Sequence, residues 1–442
     1  MVHEYLVVEH SPALKGTVKL EGAKNAVLVI MTSLILTSGK SRLTNVHASR
    51  DVYGMIALLT ELGAQVLFDE ANNTLDVDTT DLHGWQVSPD IMKKMRASVL
   101  AMGPLLARHG KAHMAMPGGC SLGARSIDLH LKAFKRMGAQ VEYQGEYLVA
   151  QASELHPVRL ILDYPSVGAT ENMLMAAVAT KGVTEIVNAA LEPEVLDLID
   201  VLRKMGARIT HEFPAALRIE GVPVESLKPV EHHIMYDRLE AGTFLLAAAI
   251  TGGEIDIPEA PADAMELFLE KLKDMGHQVT VGANGQGVSL KATHEPKAVS
   301  FKTMPYPGFP TDLQAPTMAA LCLAQGTSVL HETVFENRML HVRELQKMGA
   351  LIELTGDTAT IKKADHLYGT SVIATDIRAA AGLVLAGLVA QGTTTISGVH
   401  HVQRGYHDLD KKLAALGAKI RYVTQGDDFV VAPGNVEKSL GA

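Results

Sequence analysis

One loop in the chain combines a thiol, a guanidinium and bare backbone. It runs Pro117-Gly118-Gly119-Cys120-Ser121-Leu122-Gly123-Ala124-Arg125. A thiol serves as nucleophile or proton donor when nearby positive charge lowers its pKa from about 8.5. Arg125 could supply that charge, and its planar fork suits a phosphate. Spacing alone fits a surface turn with an incidental cysteine equally well. Cys322, inside Ala319-Ala320-Leu321-Cys322-Leu323-Ala324, reads as a core cysteine.

A second candidate is Gly22-Ala23-Lys24-Asn25-Ala26, just ahead of an apolar helical run. A helix N-terminus presents unpaired N–H groups and favours anions, and Lys24 would add charge there. The local alternative is a capping Asn25 beside a solvated Lys24. Related positions recur along the chain. Arg96, Arg238 and Arg378 open apolar helical runs, Asp312 opens another with an acid, and Asp376 stands just ahead of Arg378. Arg404 lies on a later loop, in Gln403-Arg404-Gly405-Tyr406. Each basic residue taken singly fits a surface salt bridge. Their equivalent placement lifts the set, because helix starts packed side by side would line one anion-binding cleft.

The elements that must position these residues form a sixfold repeat. Gly63, Gly138, Gly206, Gly276, Gly349 and Gly417 each end an amphipathic run, at spacings of 75, 68, 70, 73 and 68 residues. A second glycine stands 23 to 28 residues upstream of each, at Gly39, Gly110, Gly182, Gly253, Gly326 and Gly392. A glycine just past a helix takes the left-handed conformation and turns the chain into a strand. The unit is therefore buried helix, Gly, strand, amphipathic helix, Gly, strand and a hairpin back. In the first unit Val52, Met55, Ile56, Leu58, Leu59 and Leu62 fall at helical spacing, with Glu61 outside. An open solenoid is the alternative, but known solenoid units are shorter.

The bulk numbers set bounds. A chain of 442 residues exceeds one ordinary core, so two domains are expected. Net charge is −9 without a dense basic block, which argues against nucleic-acid or membrane-surface partners. Two cysteines make no disulfide framework and suit a reducing compartment. The N-terminal residues lack a signal-peptide pattern, and apolar stretches such as 26–36 and 379–390 are too short to span a bilayer, so a cytoplasmic protein is expected. The 19 histidines show no metal-ligand spacing. They read as solvated or capping residues, and no metal is expected. Trp85 reads as packing.

With these residues in view, the chain resembles the enolpyruvyl transferases, from about residue 14 to about residue 421. Within them it is most similar to the branch that acts on UDP-N-acetylglucosamine. The resemblance rests on Gly22-Ala23-Lys24-Asn25-Ala26, the Cys120 loop, Ser166-Val167-Gly168-Ala169-Thr170 and Phe309-Pro310-Thr311-Asp312. It also rests on Val334-Phe335-Glu336-Asn337-Arg338, Ala374-Thr375-Asp376-Ile377-Arg378 and Arg404-Gly405-Tyr406. It implies an α/β fold: a two-domain inside-out α/β barrel of six repeats of about 70 residues, three per domain. One domain would hold residues 1–21 and 236–442, the other residues 22–235 with the Cys120 loop.

The resemblance also implies a reaction, transfer of the enolpyruvyl group of phosphoenolpyruvate to the 3′-hydroxyl of the sugar nucleotide. Lys24, Asn25, Arg125, Arg378 and Arg404 would hold phosphoenolpyruvate. The sugar nucleotide would meet Asn25, Arg96, Arg125, Ser126, Ile127, Asp128, Leu129, Ser166, Val167, Gly168, Asp312 and Val334. Cys120, Asp312, Lys24 and Asp376 would be catalytic: Cys120 would donate the proton, Asp312 would act as base, and Asp376 would orient or relay. No cofactor is implied, and no protein partner is indicated. The chain departs from the family at Tyr164, where many relatives carry Lys, and at Leu191, where Arg is common. Ser126 stands for a usual Pro and Arg50 for a Lys. Tyr164 and Ser126 touch the expected nucleotide region.

Overall fold

Six four-stranded sheets share one plan among the described residues. The computed structural model describes residues 4–115, 127–212 and 214–424. Of the expected site residues, Cys120, Arg125, Ser126 and the side chain of Arg96 lie outside this description.

In each sheet a short edge strand runs parallel to its neighbour, and the rest is antiparallel. Arg159–Ile161 lies along Val183–Val187, which pairs with the hairpin of Arg208–Glu212 and Ala216–Glu220. Alternation buries one face and leaves the other in water. In Thr327–His331, Ser328 and Leu330 are buried while Thr327, Val329 and His331 are exposed. Amphipathic helices cover the inner faces. Arg50–Glu61 buries Val52, Met55, Leu58 and Leu59, as the spacing requires.

Inside the sheets lie the apolar helices. Arg238–Thr251, Gln314–Leu321 and Ile377–Val389 pack on one another. Lys24–Ser33, Met102–His109 and Val167–Ala177 occupy the other half. Helices apolar nearly all round need such a setting, so the fold is α/β turned inside out, with sheets facing solvent. Two apolar cores result. One gathers residues from Ala23 to Ile234. The other joins Leu6, Val8, Leu14, Val18 and Leu20 to residues from Leu239 onward.

The six helix-ending glycines have φ of 100°, 92°, 111°, 95°, 93° and 102°. The upstream set differs at one place. Gly252, not Gly253, takes the left-handed conformation in the fourth unit. Gly253 is instead pressed on the backbone, where a Cβ would come 2.2 Å from the Leu14 carbonyl oxygen. The second unit differs too, because Arg96–Ala101 is a 3-10 turn leading into Met102–His109. The sixth unit takes its antiparallel partner from the chain start. Glu4–Glu9 sits between Thr393–Ser397 and Lys419–Thr424.

The chain passes between the cores twice, side by side. The Ala23 N–H donates to the Met235 carbonyl at 2.7 Å, and the Asp237 N–H to the Glu21 carbonyl at 3.0 Å. Gly22 stands at this crossing, where a Cβ would come 2.0 Å from the Asn45 carbonyl oxygen. Only glycine fits so close an approach.

Candidate active site

Lys24 opens a helix whose N-cap, Ala23, offers no side-chain acceptor. Asp237 from the second crossing fills the gap, accepting the Lys24 N–H through Oδ2 at 3.4 Å. Its Oδ1 caps Arg238–Thr251, accepting from Leu239 at 2.7 Å and Glu240 at 3.0 Å. One carboxylate thus serves two helix starts, one from each core.

The Lys24 ammonium lies 2.8 Å from Asp51 Oδ2. Arg404 reaches the same carboxylate from the other core, with Nε 2.9 Å from Oδ1 and Nη2 3.4 Å from Oδ2. Asp51 comes from the first turn of Arg50–Glu61, which Ser49 caps. Its side chain is 5% exposed. Burial alone would raise its pKa, but Lys24 and Arg404 outweigh burial and hold it below the ordinary range. Lys24 and Arg404 thus share this one carboxylate.

A second cluster repeats this count. Asp312, in the 3-10 turn Thr311–Leu313, accepts from Arg338 Nη2 at 2.6 Å and from Arg378 Nη2 at 3.1 Å. Arg378 Nη1 donates to the Tyr406 hydroxyl at 2.9 Å, which also meets Thr243 Oγ1 at 2.9 Å. Burial works against the Arg378 charge, but Tyr406, Asp312 and Asp237 raise its pKa above the usual value. Asp376 caps Ile377–Val389 through the Arg378 and Ala379 N–H groups at 2.8 and 3.1 Å. It fixes the helix turn that carries Arg378. Asp237 links the clusters, because it binds the Lys24 N–H and also acts on Arg378.

A third group flanks these. Ser166 caps Val167–Ala177, so Val167 and Gly168 form a helix start. A Cβ at Gly168 would lie 3.4 Å from the His130 ring, which brings Asp128–Arg136 alongside. Ile127 is buried just before that helix, Leu129 is half-buried and Asp128 exposed. Tyr164 faces Glu192 and Glu332; burial first, then both carboxylates, push its phenol up to about 12. Across from it, Glu332 Oε1 accepts the Val334 N–H at 2.8 Å, and Oε2 accepts the Thr311 hydroxyl at 3.0 Å. A buried pair, Arg238 with Glu194 at 3.0 and 3.2 Å, joins the cores nearby.

The structure therefore brings Lys24 and Arg404 onto one carboxylate, and Arg378 onto Asp312. Asn25 is exposed on the first turn of its helix and does not cap it. Asp51, Arg338, Tyr406 and Asp237 were not singled out by residue type. Asp51 had a signal, since it falls at helical spacing with Met55, Leu58 and Leu62 on an apolar stripe. An acid on such a stripe needs a partner.

The histidines depart from the solvated or capping expectation. His47, His130, His232, His277 and His341 are buried. Burial pushes His47 and His341 down to about 4, so both rings are neutral near pH 7. His232 instead pairs with Asp197 at 2.9 Å. Trp85 packs edge-on against His113 under the Lys111 ammonium. Among the described residues no group of His, Cys, Asp or Glu could hold a metal ion. None of their helices is long and apolar enough to cross a membrane.

Comparison with known proteins gives consistent matches. The family model described as EPSP synthase (3-phosphoshikimate 1-carboxyvinyltransferase) matches residues 8–413. UDP-N-acetylglucosamine 1-carboxyvinyltransferase 1 of Caldanaerobacter subterraneus subsp. tengcongensis is 49% identical, over 94% of this chain and 98% of that protein. The UDP-N-acetylglucosamine 1-carboxyvinyltransferase of Geobacter metallireducens is 46% identical, over 95% and 99%. Among solved structures, the enolpyruvyl transferase NikO from Streptomyces tendae superimposes with a TM-score of 0.88 at 26% identity, covering 96% of this chain and 100% of that one. An EPSP synthase from Acinetobacter baumannii shares the fold, with a TM-score of 0.74 at 18% identity over 95% of this chain and 100% of that one.

Proposed function

The chain belongs to the EPSP synthase family of enolpyruvyl transferases, and we propose that it acts on UDP-N-acetylglucosamine. It transfers the enolpyruvyl group of phosphoenolpyruvate to the sugar 3′-hydroxyl and releases phosphate, the first committed step of peptidoglycan precursor synthesis. The observation that carries this reading is the meeting of Lys24 and Arg404 on Asp51, linked through Asp237 to Arg378 and so to Asp312. Two clusters, each with two cations converging on one carboxylate, suit an acid bearing both a carboxylate and a phosphate. Relatives named for this reaction support the sugar nucleotide as acceptor.

In this reading Lys24 and Arg404, with Arg125 and Asn25, bind phosphoenolpyruvate, and Arg378 binds its carboxylate. Ile127, Asp128, Leu129, Ser166, Val167, Gly168 and Val334, with Arg96 and Ser126, bind the sugar nucleotide. Asp312 takes the proton of the 3′-hydroxyl as that oxygen attacks C2, and Cys120 gives a proton to C3. Elimination then removes a proton from C3, breaks the C2–O bond to phosphate and restores the double bond. Preorganised cations stabilise charge throughout. The division into residues 22–235 and the remainder is supported by the two apolar cores and the paired crossing. Its substrates are those of a cytoplasmic enzyme.

Phosphate release tests the assignment. Phosphoenolpyruvate with UDP-N-acetylglucosamine should give release, and phosphoenolpyruvate with shikimate 3-phosphate should not. Release with the shikimate alone, or with neither acceptor, would sink it. Fosfomycin with the sugar nucleotide should add one adduct at Cys120, seen by intact mass and peptide mapping. Cys322, its thiol pushed up to about 12 by burial, should stay unmodified. An unmodified Cys120 would contradict its proposed reactivity.

A further inference from the structure

Three residues ahead of Lys24 and three beyond Arg404, the chain carries a second pair, Glu21 and His407. His407 Nδ1 lies 3.1 Å from each Glu21 oxygen. The side chains are 30% and 14% exposed. Glu21 is pinned on every side. It accepts from Lys412 Nζ at 3.0 Å and Asn73 Nδ2 at 3.3 Å. Its N–H donates to Glu240 Oε2 at 3.4 Å, and its carbonyl accepts the Asp237 N–H. Lys412 continues to Glu240 Oε1 at 2.7 Å. One carboxylate at the crossing thus ties the segment carrying Lys24 to the segment carrying Arg404.

We propose that Glu21 and His407 are positioning residues that set the separation of Lys24 and Arg404, and do so fully only while His407 carries its proton. This rests on the reading that those two cations bind phosphoenolpyruvate. A protonated ring gives a charge-assisted bond; a neutral ring keeps an ordinary one. Loss of the proton therefore loosens the pair without cutting it.

The surrounding charges support a proton held there. The hydrogen bond to Glu21 raises the His407 pKa above its usual 6.5; burial opposes it, the charges of Glu21 and Asp408 add to it, and Lys412 opposes it. Asp408 Oδ2 lies 3.9 Å from Nε2. His47, from the other core, also acts electrostatically with His407 and is itself neutral near pH 7. Burial works against the Glu21 charge, but His407 and Lys412 hold its pKa down to about 2. Glu21 therefore stays ionised above that pH. A raised histidine pKa means that the tie is whole below 6.5 and weakens as pH rises through the raised value.

The test compares KM for phosphoenolpyruvate from about pH 6 to about pH 8.5 in wild type, His407→Asn and His407→Lys. Titration of the substrate phosphate is common to all three proteins. At low pH, His407→Asn should raise KM roughly threefold to tenfold, with kcat within about twofold. His407→Lys should keep the wild-type KM at low pH and hold it at high pH, where wild type drifts toward the Asn variant. Coincident KM profiles for wild type and His407→Asn would overturn the proposal. A second readout needs no substrate: the NMR titration midpoint of His407 should fall in Glu21→Gln, and an unmoved midpoint would also overturn it. Wild type inactive with phosphoenolpyruvate sinks the proposed function instead, and the midpoint still decides the pair.

Discussion

Among the described residues Asp51 and Asp312 each bind two cations, but they face solvent differently. The Asp51 side chain is 5% exposed and ties the two cores together through Arg404. The Asp312 side chain is 25% exposed, and the two arginines that meet it among the described residues come from its own core. A sealed carboxylate between cations stores position, since its charge is already spent on Lys24 and Arg404. An open one can meet a hydroxyl. The same residue type thus separates into a holder and a reactant by burial and by where its partners come from.

The largest expected effect tests the reactant. Asp312→Asn keeps the shape and removes the base, so kcat should fall about a thousandfold while the protein stays folded. A loss under about tenfold would move Asp312 to the holder class. Asp51→Asn tests the holder. It leaves Lys24 and Arg404 close together without a counter-charge, and the unfolding free energy should drop by about 3 kcal/mol. Because the folded Asp51 pKa is depressed, its contribution is present above the unfolded value near 3.9 and is lost as pH falls through the folded value. Urea midpoints should therefore differ most near neutrality and converge in acid. A constant difference across that range would show that Asp51 is not held by charge.

Glu240 is expected to have a smaller effect of the opposite sign. Burial raises its pKa to about 7, with Lys412 opposing. A carboxyl with a raised folded pKa lowers stability as pH climbs from its unfolded value to the folded one. Wild type should lose of the order of 2 kcal/mol between about pH 4.5 and pH 7 through this group, and Glu240→Gln should flatten that slope. An unchanged slope in chemical denaturation would show that Lys412 fully compensates Glu240. The sealed carboxylates would then behave alike.

Much of this arrangement was legible in the sequence, because the strongest signals were local. A helix that ends in a left-handed residue demands glycine at one position, and six such positions at similar spacing show the repeat. Lys24, Arg378 and the acid of Asp312 were legible as charges beside apolar helices. What escaped was non-local. Glu4–Glu9 pairs with strands near the other end of the chain, and no short window contains that pairing. Nothing local separates Gly253 from Gly252, because the deciding contact is with Leu14, far away in sequence. Asp51 carries one local sign, its place on an apolar stripe, but a single acid near a helix start also suits the dipole. Its partner Arg404 is visible only once the cores meet.

The smallest expected effect asks whether the Asp312 cluster owes its geometry to Tyr406. In Tyr406→Phe the ring still fills its site, and the Thr243 hydroxyl keeps its bond to the Leu239 carbonyl at 2.9 Å. Arg378 loses one partner but keeps Asp312. One buried donor is left unsatisfied, which should lower stability by about 1–2 kcal/mol. Activity should change by less than about tenfold, since the arginine is still held at one end. A fall in kcat as large as that of Asp312→Asn would mean that the phenol holds Arg378 in its working position. The open carboxylate would then depend on a fixed scaffold as much as the sealed one does, and solvent exposure would no longer separate them.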